Sequence, residues 1–345
     1  MYFELSPKTR IEDFYNYREE LEKAKEAIFR ERVIAIKGIR RVGKSSLMKV
    51  LSNEIELPFG WIDGRNVFSK DKMEMEIKKA LGSLLWKHSI KERIKKAVKS
   101  IGIGGIEISI EEDVFSRLST VPKGVLFVDE AQVMAEFGFD LYLAYLYDNF
   151  PNLTIVLAGS QIGLLEKLLG KGKKGNKGMR GRKVMEIMLK PLSKEKALSF
   201  LLEGFEQAKK EVELNELKEV VNLTGGLIGW LTLYGHERLY SSHEKAINYV
   251  KEKAIEVLSD ELSVLLSHVK NKKAYITILK AISMGFNKWE EIYALLHKNK
   301  LKVGKGFVSK ALAKLIDYSF VIKKDNKFYL SDPLISLSVR EFSVS

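Results

Sequence analysis

The sequence has no cysteine among its 345 residues, which excludes disulfides, thiolate metal sites and cysteine nucleophiles. Its five histidines are scattered and never take metal-ligand spacing. No apolar run approaches the roughly 18 to 20 residues that span a bilayer, and no signal-peptide pattern opens the chain. The expectation is a cytoplasmic protein with no membrane partner. Also lacking are an Asn-Lys-x-Asp segment that reads guanine and any polymerase, nuclease or kinase constellation. What remains is 46% hydrophobic, enough for more than one core. A composition rich in Lys, Glu and Ile and free of Cys would suit a thermophile.

The most informative segment is IAIKGIRRVGKSSL, residues 34 to 47. Val33 to Lys37 suit a buried parallel strand, and Gly38-x-x-x-x-Gly43-Lys44-Ser45 then precedes helical patterning from Ser46 to Glu54. Such a loop coils so that the N–H groups from Gly38 through Ile39, Arg40, Arg41, Val42 and Gly43 to Ser46 point at phosphate oxygens. A helix N-terminus adds its positive end. Lys44 would reach the β and γ phosphates and the Ser45 hydroxyl would ligand Mg²⁺. Arg40 and Arg41 are expected to be solvated. The bland alternative is an ordinary strand-to-helix turn with an exposed lysine.

That alternative weakens at GVLFVDEAQ, residues 124 to 132. Here an apolar strand delivers two carboxylates to the sheet edge where open α/β sheets bind ligands. Asp129 would hold Mg²⁺ and Glu130 would polarise the attacking water as general base. Capping of the next helix is the competing reading. A third strand, Thr154 to Ala158, ends in Gly159-Ser160-Gln161, with Ser160, and after it Gln161, as the candidate sensor of the γ phosphate.

Taken together, these motifs resemble the archaeal P-loop ATPases within the STAND branch of the AAA+-like class, relatives of the origin-recognition ATPases. Phe14 to Leu21 is similar to that family's aromatic-x-x-Arg-Glu-x-Glu-Leu opening, which implies Arg18 against the nucleotide base. Gly181-Arg182 and Glu186 to Ser193 resemble its Gly-Arg, strand and Pro-Leu-Ser. Arg182 is thereby implied as a catalytic arginine, acting in cis or as a finger from a neighbouring subunit. Thr224 to Leu231 resembles the lid's Gly-Gly-x-Pro signature, with Ile228 in place of proline and a rigid turn in doubt. The resemblance implies an α/β P-loop NTPase, a parallel sheet with flanking helices, followed by a helical lid and a C-terminal winged helix. The corresponding boundaries are 1–192, 193–269 and 270–345. ATP or ADP and Mg²⁺ are the implied cofactors.

The formal charge of +13 is concentrated late: from Lys270 onward 15 Lys plus Arg stand against 6 Asp plus Glu. Three helical segments, Tyr275 to Ile282, Lys288 to Leu296 and Phe307 to Ile316, precede a hairpin pattern at 321–330 and describe a winged helix. Lys305, Lys310 and Lys314 would face duplex DNA, with Lys323, Lys324 and Lys327 on the wing. The third helix lacks the Arg, Asn and Gln that favour base edges. A protein-binding role for the domain stays open, as does oligomerisation. Two functions therefore stand side by side: a nucleotide-driven switch, and an oligomeric ATPase acting on DNA. Elsewhere, Val98 to Ile110 suggests a hairpin around Gly104-Gly105. The run KLLGKGKKGNKGMRGRK, residues 167 to 183, suggests a mobile surface loop. Leu141, Tyr142, Tyr145, Leu146 and Phe150 follow helical spacing and are expected in the core.

Overall fold

The computed structural model describes residues 1–97, 114–172 and 175–342; the expected hairpin at 98–110 lies outside them. Five strands form one parallel sheet in the order β2-β3-β4-β1-β5. They are β1 (Val33–Lys37), β2 (Phe59–Asp63), β3 (Gly124–Asp129), β4 (Leu153–Gly159) and β5 (Met185–Met188). Strands β1, β3 and β4 are buried at every residue, which is why they read as unbroken apolar runs. Their side chains alternate between two cores: Ile34, Ile36, Val125 and Phe127 enter one, while Val33, Ala35, Leu126 and Val128 enter the other. Because β1 and β3 both run parallel to β4, which lies between them, the phosphate loop and the acidic pair emerge at the same edge of the sheet.

Helices α1 (Arg18–Arg30), α2 (Lys44–Glu54), α3 (Lys70–Ala97), α4 (Val114–Leu118), α5 (Phe139–Asn149) and α6 (Ile162–Leu168) accompany this sheet. The lid follows as α7 (Lys194–Gln207), α8 (Leu214–Thr224), α9 (Ile228–Tyr240) and α10 (His243–Ser267). Ser193 caps α7 by accepting from the Lys196 N–H, and Ser242 caps α10 from Lys245. The winged helix comprises α11 (Lys272–Ser283), α12 (Trp289–Lys298), α13 (Lys305–Asp317) and the antiparallel pair β6 (Val321–Lys324) and β7 (Lys327–Leu330). A closing helix that the sequence reading did not anticipate, α14 (Ile335–Glu341), packs on α10.

The core on the α2 side of the sheet runs without a break through the lid into the winged helix, from Phe3 to Val339. Phe3 belongs to it because the chain start crosses to the lid, where its ring touches Phe200 and Phe205. Farther along the same segment the Lys8 N–H donates to Ser46 Oγ at 3.1 Å, and Thr9 accepts from Asn53.

Two expectations change. The basic run at 167–183 is tied down among its described residues: Lys167 pairs with Asp317, Lys171 with Glu186 and Lys183 with Glu31, while Met179 is buried. Spacing does not show these partners, because Asp317 and Glu31 are distant in sequence. On α5, Leu146 is buried, as is Phe150 just after it, but Leu141 and Tyr145 are 63% and 45% exposed. The helix therefore buries a narrower stripe than its composition suggests.

Candidate functional site

The site is built where β1 and β3 end. After Lys37 the chain turns through Gly38 to Gly43, and α2 starts at Lys44. Gly43 sits at φ +100°, a left-handed conformation that side chains other than glycine's resist. Lys44 is buried, and its Nζ donates to the carbonyls of Gly38 and Ile39, each at 2.9 Å. Burial lowers its pKa to about 8, against the opposing pull of Glu130 and Asp129.

Ser45 Oγ donates to Asp129 Oδ2 at 2.6 Å. These two hard oxygen donors fit Mg²⁺, which takes few protein ligands and fills its octahedron with phosphate oxygens and water. Among the described residues no group of three or more His, Cys, Asp or Glu forms a separate metal site. Burial raises the Asp129 carboxyl above its ordinary value, against the Ser45 hydrogen bond.

Glu130 lies just past the strand in left-handed conformation, φ 48°. Its Oε2 accepts from Gln132 Nε2 at 2.6 Å and from Ser160 Oγ at 2.7 Å. Burial alone would raise Glu130, but Lys44 and these two donors outweigh it and hold the carboxylate low. It is thus a carboxylate held in place, with Ser160 at the tip of β4 as one of its holders. Gln132 was not anticipated, although it stands two residues beyond the acidic pair. Its Oε1 is buried without a hydrogen-bond partner.

Lys44, Ser45, Glu130, Gln132, Ser160 and Gln161 line a cavity of about 720 Å³, a common size for a small-molecule site, and Asp129 is joined to it through its hydrogen bond with Ser45. Its lining combines polar groups, Lys44, Ser45 and Glu130, with apolar surface from Pro7, Tyr15, Phe200 and Ile228. Ile228 is the first residue of α9, where proline's missing N–H matters least, so the helix starts there without the family's proline. The main chain still closes on the phosphate loop, the Gly229 N–H donating to the Arg41 carbonyl at 2.9 Å.

Three expected site residues are held by other partners within the chain. Arg18 is exposed and donates to the Ile11 carbonyl at 2.8 Å. It caps the preceding turn, and Tyr15 and Tyr17 line the cavity in its place. Arg182 pairs with Asp148, Nε to Oδ1 at 3.0 Å, away from the cavity lining. Lys314 donates to the His268 carbonyl at 2.7 Å, whereas Lys305 and Lys310 are exposed. Arg40 and Arg41 also depart from expectation: both line the cavity and both pair with Glu261 of α10, at 3.3 and 2.9 Å.

Residues 14–233 match the model of an ATPase domain found predominantly in Archaea. The chain belongs to that family. A further match, at residues 269–331, is to the C-terminal winged helix-turn-helix domain of MCM proteins. Among solved structures, this archaeal-type ATPase is similar to the Walker-type ATPase PABY2304 of Pyrococcus abyssi. The two are 28% identical with a TM-score of 0.83, over 99% of this chain and 100% of that one. Weaker likenesses reach RuvB of Thermotoga maritima, at 14% identity and TM-score 0.47, over 94% of this chain and 95% of that one. They also reach a STAND protein with a tetratricopeptide-repeat sensor from Pyrococcus horikoshii, at 18% identity and TM-score 0.40, over 98% of this chain and 44% of that one. The search of curated proteins gives no match. No helix among the described residues is long and apolar enough to cross a membrane.

Proposed function

We propose that the protein is a nucleotide-driven switch that binds ATP with Mg²⁺ and hydrolyses it slowly. In this reading Lys44 and the loop amides grip the phosphates, Ser45 and Asp129 hold the metal, and Glu130 aligns and deprotonates the attacking water. Bound Mg²⁺ supplies charge that offsets the phosphate oxygens. The division at residues 192 and 269 belongs to the same proposal.

The observation that carries the switch is the reach of Arg41. Besides Glu261, its guanidinium stands 3.7 Å from Asp332 Oδ2 and lies over the Trp230 ring at 4.3 Å. Asp332 is buried just beyond the wing and accepts from Trp230 Nε1 at 2.8 Å. One side chain of the phosphate loop thus joins α9, α10 and the end of the winged helix. A triphosphate in the loop would place several negative charges beside Arg40 and Arg41 and compete with those carboxylates. Asp332→Ala is expected to lower stability by about 3 kcal/mol, the range for breaking a buried pair, and to loosen the wing. Because the chain has no cysteine, labels on cysteines introduced at Glu19 and Asn326 would report the core-to-wing distance. ATP should change that distance in the parent and leave it unchanged in the variant. An ATP-insensitive distance in the parent would count against the switch.

A second reading, duplex contact by the winged helix, is favoured by exposed Lys305, Lys310, Lys323, Lys324 and Lys327. Affinity should then depend little on sequence and fall steeply with salt, since each neutralised phosphate releases nearly one counterion. Lys305→Glu with Lys310→Glu should weaken all duplexes alike. Absence of binding near ~50 mM salt, where charge-driven contact is already strong, would leave the domain to protein contacts.

A further inference from the structure

Arg182 is turned to Asp148, but another arginine, at the end of the neighbouring strand, lines the cavity within electrostatic reach of the acidic pair. Strand β2 pairs with β3 so that Asp63 lies in register with Asp129. A single 3-10 turn, Gly64–Asn66, follows. A Cβ on Gly64 would come within 2.5 Å of the Glu130 carbonyl oxygen and 3.0 Å of that of Asp129. Only glycine lets the turn press so closely on the backbone of the acidic pair, and the next residue, Arg65, is thereby carried to the cavity rim.

Five cations line this cavity among the described residues: Lys8, Arg40, Arg41, Lys44 and Arg65. Lys8 donates to the carbonyls of Met1 and Glu4. Arg40 and Arg41 are held from the α10 side, and Lys44 lies inside the loop. Arg65 alone projects from the edge of the sheet beyond Asp129. Its partner is Asp63, two residues back, with Nε to Oδ1 at 2.9 Å and Nη2 to Oδ2 at 2.7 Å. The Arg65 side chain remains 67% exposed. Asp63, and after it Asp129 and Glu130, make it more basic than usual, so it is attracted toward the site.

Magnitudes favour an exchange of partners. An exposed ion pair such as Asp63–Arg65 contributes little, whereas a bidentate arginine–phosphate contact, charge-assisted and sheltered from water, is considerably stronger. We propose that Arg65 is a catalytic arginine acting in cis, leaving Asp63 to hold the γ-phosphoryl oxygens of ATP during transfer. The proposal rests on the hydrolysis reading above. In the step, the water oxygen forms a bond to the γ phosphorus and the bond from phosphorus to the β–γ bridging oxygen breaks. That electron pair leaves with ADP, and the water proton passes to the Glu130 carboxylate. Arg65 offsets the charge on the three equatorial oxygens, where an arginine is worth most.

The test compares the full-length parent with Arg65→Ala and Arg65→Lys. Arginines in this role contribute about 10³-fold or more to kcat, so Arg65→Ala should lose turnover on that scale while its Kd for Mg-ATP stays within a few-fold. Affinity for the transition-state mimic ADP with aluminium fluoride should fall far more than affinity for ATP. Arg65→Lys should recover part of both losses, and the parent's specific activity should not depend on protein concentration. Turnover by Arg65→Ala at the parent rate would overturn the proposal. So would equal loss of ATP and ADP–aluminium fluoride binding, which marks a structural role. Restoration of activity on mixing Arg65→Ala with Glu130→Gln would show that the arginine acts between subunits and overturn the cis assignment. The hydrolysis reading is judged separately, by whether the parent turns over ATP and loses that turnover with Glu130→Gln.

Discussion

Glu130→Gln is expected to bind Mg-ATP as tightly as the parent and to turn it over about 10²- to 10⁴-fold more slowly, the span general-base catalysis contributes. The substitution suits the site because the amide oxygen can still accept from Ser160 Oγ and Gln132 Nε2, which now meet the carboxylate at 2.7 and 2.6 Å. The left-handed backbone at residue 130 is also undisturbed. Only the capacity to take a proton is lost. ATP should therefore be recovered intact from the variant after gel filtration, while the parent yields ADP. Parent-like turnover in the variant would mean that another group activates water.

Lys44→Ala should weaken ATP by about 10²- to 10⁴-fold, since removing one partner of a buried charge pair costs about 3–5 kcal/mol. The same side chain predicts a pH dependence. Its pKa in the folded protein is lowered to about 8 by burial, while phosphates stabilise the protonated form and raise it. ATP affinity should accordingly be flat below pH 8. Above it, affinity should fall by up to tenfold per pH unit, with proton uptake on binding, until the pKa of the bound form is reached. Calorimetry in buffers of different ionisation enthalpy reads that uptake directly. A pH-independent affinity between 7 and 9 would remove Lys44 from the phosphate contact. For stability without ligand the sign is opposite: the unfolded lysine holds its proton up to about pH 10.4, so this group's contribution rises with pH between 8 and that value.

The strands that carry the acidic pair and the phosphate loop were legible because each is buried on both faces and so reads as a short apolar run ending in its functional residues. The winged helix was legible from its helix spacing and the polar turn in its hairpin. Residues whose role depends on distant partners were not. Arg18 and Arg182 sit in recognisable motifs, yet each finds a nearer acceptor, the Ile11 carbonyl and Asp148. Lys314 similarly turns back to His268. Arg65 and Asp332 belong to no spacing pattern at all; strand register and chain reversal bring them to the site. Gln132 was within view, but a lone glutamine after two acids carries no signal until Glu130 is seen to bend toward it.

The unbroken core from Phe3 to Val339 makes the wing thermodynamically answerable to the phosphate loop. Nucleotide bound at one end stabilises the folded chain by about 2.7 kcal/mol at a hundred times its dissociation constant. With no layer of solvent dividing the core, that energy should be felt as slower amide exchange in α13 and β6 as well as in α2. A fragment cut near residue 269 would expose apolar side chains now shared with α10, so the wing's behaviour is best measured on the whole chain.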